Sequence, residues 1–120
     1  MHKTILIFIT LFIIFTSCSN TNSKKVTYVA TGAISAYNLQ YINDKNELIT
    51  TEVLPQSAQD KWTYTYIDDE GELVYMSGNY KDINSSLNMM ILIDGKIYKQ
   101  GSNEADTLFY LTVSGTVPYD

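Results

Sequence analysis

The sequence predicts an all-β domain, an antiparallel β-sandwich of seven to eight short strands, on three observations. From residue 26 onward apolar residues alternate with polar ones, and no helical period appears. Ten tyrosines, together with many Ile and Thr, favour pleated structure over helix. Turn-forming residues interrupt the alternation at roughly ten-residue intervals, the spacing of a sandwich or barrel.

The elements follow in order. Tyr28 and Ala30 alternate with Thr27, Val29 and Thr31, and Gly32 permits a bend. Tyr37, Leu39 and Tyr41 share a second strand. The turn Asn43-Asp44-Lys45-Asn46 leads into a third strand over residues 48–54, which Pro55 stops. Trp62, Tyr64 and Tyr66 lie on one face of a fourth, ended by Asp68-Asp69-Glu70-Gly71-Glu72, read as an exposed hairpin turn. Val74, Met76 and Gly78 oppose Tyr75 and Ser77 on the fifth. Leu87, Met89, Ile91 and Ile93 form the most apolar set, and Asp94-Gly95 turns the chain so that residues 97–100 fold back on 91–93. Residues 108–113 supply the last strand. Hairpin connections make the pairing antiparallel.

The N-terminus carries a different signal. After Met1-His2-Lys3, residues 5–15 are apolar except for Thr10. That run is shorter than the roughly 20 residues a spanning helix needs, and it has the length of a signal-peptide core. Thr16 and Ser17 then precede Cys18, an order that resembles the lipobox of bacterial lipoproteins, in the relaxed form of the Bacteroidota. The resemblance implies that residues 1–17 are cleaved and that Cys18 is acylated. Residues 18–25 read as the lipidated N-terminus and a flexible tether, and residues 26–120 as one domain. Cys18 is the single cysteine, so no intramolecular disulfide is available, and acylation would remove a free thiol from an oxidising compartment. The expected location is the cell envelope, lipid-anchored to the outer membrane, with the periplasmic face favoured because no acidic run follows Cys18.

Beyond residue 17 the chain carries seven Lys and no Arg against thirteen carboxylates, a net charge of −6. That balance speaks against a nucleic-acid partner, which needs basic patches, and against electrostatic adhesion to anionic lipid. His2, the one histidine, lies in the segment expected to be removed. Ser–His and Cys–His nucleophilic catalysis and the usual zinc sites then lack their ligands. The chain is expected not to be an enzyme, to hold no metal and to need no cofactor.

Several segments together resemble the MmpS family (mycobacterial membrane protein, small). These are Val26-Thr27-Tyr28-Val29-Ala30-Thr31-Gly32, Tyr37-Asn38-Leu39-Gln40-Tyr41, Leu54-Pro55, Val74-Tyr75-Met76-Ser77-Gly78-Asn79 and Ile91-Leu92-Ile93-Asp94-Gly95-Lys96. The resemblance implies an immunoglobulin-like sandwich outside a membrane. It also implies a link to transport, since mycobacterial members are accessory subunits of RND-type exporters. Three departures stand against a direct transfer of that role. Gln56 follows Pro55 where the family has Trp, the cysteine pair of some members is missing, and the anchor is a lipid instead of a helix.

The expected function is therefore a membrane-anchored, non-catalytic binding or accessory module that supports envelope transport, with an envelope protein or transporter as its expected partner. The alternatives are an inhibitor of lysozyme or protease, using the polar stretches 82–86 or 101–105 as inserting loops, and a glycan-binding or adhesion module. Loop contacts are expected at Asp68, Asp69 and Glu70, in the one acidic cluster, whose five adjacent residues lack the spacing of a calcium loop. Tyr75 and Tyr110 would form an aromatic contact patch if they lie outward together. The remaining tyrosines are expected in the core or on sheet surfaces.

Overall fold

The computed structural model describes residues 22–104 and 109–119. Eight strands form β1 (Ser23–Thr31), β2 (Tyr37–Ile42), β3 (Leu48–Val53), β4 (Trp62–Asp69), β5 (Leu73–Tyr80), β6 (Ser86–Ile93), β7 (Lys96–Glu104) and β8 (Tyr110–Thr116). They make two antiparallel four-stranded sheets, one ordered β4-β1-β6-β7 and the other β3-β2-β5-β8. The fold is the expected antiparallel sandwich. The expected signal peptide, the expected acylation site Cys18 and residues 19–21 of the expected tether lie outside the described residues.

The alternation in the sequence becomes the inside and outside of the sandwich. Val26, Tyr28 and Ala30 of β1 face Leu39, Val74 and Met76 of the other sheet, with Leu87, Met89 and Ile91 of β6 beside them, all essentially buried. Gly78 faces the core, and a Cβ there would collide with Leu87 of the other sheet and press on Leu39 and Met89. Met89 is core and Met90 its half-exposed neighbour.

Two connections are hairpins, β2–β3 and β6–β7; every other one carries the chain between sheets. The β6–β7 turn uses Asp94 (φ 50°) and Gly95 (φ 82°), both in the left-handed region that a two-residue hairpin requires. Asn46 (φ 61°) closes the β2–β3 turn, and Asn43 Oδ1 accepts from the amides of Lys45 and Glu47.

Four expectations need correction. The acidic segment after β4 is a corner between sheets and not a hairpin turn, because β4 and β5 do not pair. Its backbone groups are satisfied from elsewhere: Glu70 N donates to Asn22 O, Gly71 N to Val117 O, and Val117 N to Glu72 O. Residues 23–25, assigned to the tether, belong to β1. Polar residues can extend a strand when its ladder continues, and here Ser23, Lys24 and Lys25 lie opposite Asp69, Asp68 and Ile67. Residues 101–104, assigned to a polar loop, are the end of β7 and pair with β6 back to Ser86. The last strand is Tyr110–Thr116, shifted toward the C-terminus to match β5 from Asn79 to Leu73; Leu108 lies outside the described residues.

The sandwich is closed differently on its two sides. Where β7 meets β8, Gly101 lies against Leu111 and Val113, and Gly115 against the Tyr98 ring, so missing side chains let the sheets approach. Toward β3 and β4, rings fill the space instead. Tyr41 packs on Trp62 and Tyr64 at 5.0 and 4.9 Å between centroids, and Tyr28 on Tyr41, Tyr64 and Tyr66 at 5.9, 6.2 and 5.7 Å.

Candidate functional site

β1 runs from Ser23, at one end of the sandwich, to the opposite end, where the loops 32–36, 54–61 and 81–85 gather. Short polar bonds join them into one platform. Gly32 is at φ 93°, which turns the chain out of β1, and its amide donates to Ala58 O. Ser86 Oγ donates to Gly32 O at 3.0 Å, and the Ile34 amide donates to Ser85 Oγ at 3.1 Å. Ser85 is the one buried polar residue among the described residues, apart from the tyrosines, and this bond accounts for its burial. Asp60 Oδ2 accepts from the Gln56 amide at 2.6 Å, closing the loop 54–61 on itself.

Two cavities open at this platform. One, of about 320 Å³, lies among Ser35, Tyr37, Glu52, Tyr80, Lys81 and Asp82. The other, of about 160 Å³, lies among Val53, Leu54, Asp60, Lys61 and Trp62. Tyr37 borders both. Its hydroxyl is pushed up to about 12, first by burial and then by the Asp60 carboxylate. Around the cavities stand exposed apolar tips: Ile34 at 51%, Leu54 at 72% and Ile83 at 60% accessible. Apolar tips around polar cavities that mix Lys with Asp and Glu are suited to an amphipathic surface or ligand. A shallower hollow of about 590 Å³ lies over Asn88, Met90, Gln100 and Ser102 on the outer side of the β1-containing sheet.

The residues singled out in the sequence fall elsewhere. Asp68, Asp69 and Glu70 are at the end where β1 begins, a full strand length from the platform. Asp69 accepts from Ser23 Oγ at 2.9 Å, and Glu70 lies 3.8 Å from the Lys24 ammonium. Asp68 has its carboxyl raised above the ordinary range, by partial burial first and then by Glu72, Asp69 and Asp44 nearby, against the amide of Asp69 that bonds it. Among the described residues, no three His, Cys, Asp or Glu side chains come together to hold a metal ion. No helix of the described residues is long and apolar enough to cross a membrane.

No family model and no curated protein matches this chain.

Tyr75 and Tyr110 do share the outer face of the second sheet, but they are not neighbours. Tyr75 is opposite Ser114 and Tyr110 opposite Asn79, with the Ser77–Thr112 pair between them. Four residues of strand, about 13 Å, separate their levels. The face between is uncharged and laced by side-chain bonds, Ser77 to Thr112 at 3.1 Å and Asn38 to Asn79 at 3.4 Å. Sequence reasoning missed the platform and the aromatic seam. The seam had a signal, since Trp62, Tyr64 and Tyr66 share one face of β4. Tyr41 joins them only through the stacking of two sheets.

Proposed function

We propose that the protein is an exported lipoprotein, cleaved before Cys18 and held by acyl chains on that residue, whose sandwich is a non-catalytic, MmpS-like binding or accessory module of the cell envelope. The observation that carries this reading is polarity along the long axis. The chain enters β1 at one end, and the cavities and apolar tips lie at the other. A domain tethered at Ser23 would thus hold its platform away from the membrane and toward a partner. The segment order before Cys18 supports the anchor, and the absence of histidine after His2 supports the non-catalytic assignment. The test is to crosslink the full-length, C-terminally tagged chain in intact cells and identify what copurifies. Recovery of an envelope transporter, lost when Ile34 and Leu54 are replaced by Asp, supports the accessory role. Capture of partners unaffected by those substitutions removes the platform from the reading.

A second reading has its own observation. Ile83 is exposed at the tip of the loop 81–85, whose base is fixed by Ser85. A rigid loop with an apolar tip fits an inhibitor that inserts into an enzyme cleft. Inhibition of a lysozyme or protease by the purified chain, abolished by Ile83→Asp, would support it; no inhibition across several of each excludes it.

A further inference from the structure

We propose that the free edge of β4 is a self-association site, where two copies of this chain pair antiparallel about a two-fold axis through Thr65 and join two four-stranded sheets into one of eight.

The edges of the sandwich are not equally protected. Exposed edges invite pairing, and proteins blunt them with lysine, proline, bulges or shortness. β7 carries Lys96 and Lys99 and is bulged opposite Ile91 and Leu92. β8 lies against β7 through Gly101, Gly115 and Tyr98. β3 is six residues long and has Glu52 on its outer face. β4 has eight residues in unbroken register with β1, its one strand partner among the described residues, and holds no lysine, proline or bulge. Its charges are confined to Asp68 and Asp69 at one end.

Side-chain direction and charge then select the register. Opposed residues of an antiparallel pair must face the same way, so a symmetric pairing of β4 has a residue, and not a peptide bond, at its centre. Centred on Thr65, the pairing sets Tyr64 opposite the second copy's Tyr66 on the inner side. Thr63 meets Ile67 on the outer side, where Ile67 is now 62% exposed. One step further out, Lys61 falls opposite Asp69, and the symmetry makes that contact twice. Centred on Tyr64, the pairing would set Lys61 opposite Ile67, and centred on Tyr66 or Ile67, opposite Gly71 or Leu73, so each leaves Lys61 without a carboxylate. The Thr65 register also brings Asp60 opposite Glu70, but that pair lies beyond both ends of β4, and Glu70 is already beside the Lys24 ammonium at 3.8 Å. The Thr65 register is the one that matches faces and complements charge. It also covers the open side of the sandwich, where Trp62 and Tyr64 are only partly buried.

This inference is independent of the proposed anchoring and partner. Its test uses the full chain purified in mild detergent, from whichever cell fraction holds it. Thr65→Cys should give a disulfide-linked dimer under mild oxidation, because residues on the axis have Cα atoms about 4.5–5.5 Å apart. Ser114→Cys, exposed on the other sheet, should give none beyond the wild-type chain, which carries Cys18 alone. The wild type should sediment as a dimer, and Thr65→Lys, which places two ammonium groups at the axis, as a monomer with an unchanged circular dichroism spectrum. A monomeric wild type, equal crosslinking of the two cysteine variants, or a folded Thr65→Lys dimer would overturn the proposal. If Thr65→Lys does not fold, the crosslinking comparison decides alone.

Discussion

Tyr28 ties the two sheets together more than any other single residue described. Its ring is fully buried, and its hydroxyl donates to Ile42 O at 2.8 Å, meets Tyr66 Oη at 2.9 Å and accepts from the Tyr75 amide at 3.3 Å. Tyr28→Phe keeps the ring and strands those partners, so it should cost about 1–3 kcal/mol, read as a lower urea midpoint with an unchanged slope. The buried hydroxyls also set a pH limit. Burial raises Tyr66 and Tyr28 above the ordinary phenol value, and Tyr37 to about 12. In the unfolded chain these phenols ionise near pH 10. Above that pH the unfolded state binds fewer protons than the folded state, so stability falls. The contribution is whole below about pH 10 and is lost as pH rises toward and through the folded values. Denaturant titrations at stepped alkaline pH should show the midpoint falling from about pH 10, with tyrosinate absorbance rising as the chain unfolds; a midpoint flat to pH 12 would contradict this account.

At the scale of elements, the β6–β7 hairpin was legible because its cause is local. Asp94-Gly95 supplies the two positive φ angles, and the apolar alternation of Leu87 to Ile93 fixes which face turns inward. No heavy atom lies within 4 Å of a Cβ built on Gly95, so Gly95→Ala tests the backbone alone. It should cost about 1–2 kcal/mol, seen as a lower melting temperature without loss of cooperativity. The acidic corner shows where local reading fails. Asp-Asp-Glu-Gly reads equally as a hairpin or as a passage between sheets, and the difference lies in Val117 and Asn22, far away in sequence. Strand ends failed for the same reason: β1 reaches Ser23 and β7 reaches Glu104 because a neighbour's ladder continues, whatever the side chains. The platform was illegible too, since Ile34, Leu54 and Ile83 sit in three loops that only the completed sandwich brings to one end.

For the whole molecule, the proposed anchor makes a direct prediction. Acyl chains contribute about 0.8 kcal/mol per buried methylene, so Cys18→Ser should move the protein from the detergent phase to the aqueous phase on temperature-induced phase separation. A Cys18→Ser variant still in the detergent phase would show that another segment holds the membrane. Topology bears on folding as well. β1 waits for β4 and then for β6, whose last paired residue is Ile93. Such non-local pairing places folding on the millisecond-to-second scale of sandwich domains, which stopped-flow refolding would measure. The interior position of β1 has a mechanical consequence. A pull applied through the N-terminus runs along a strand flanked by two antiparallel neighbours, so both ladders are loaded in shear and their hydrogen bonds bear the force together. An edge strand pulled the same way would load one ladder instead of two. The chain enters its fold through a lap joint, which would suit the proposed anchor by letting the domain hold on at one end while something tugs at the other.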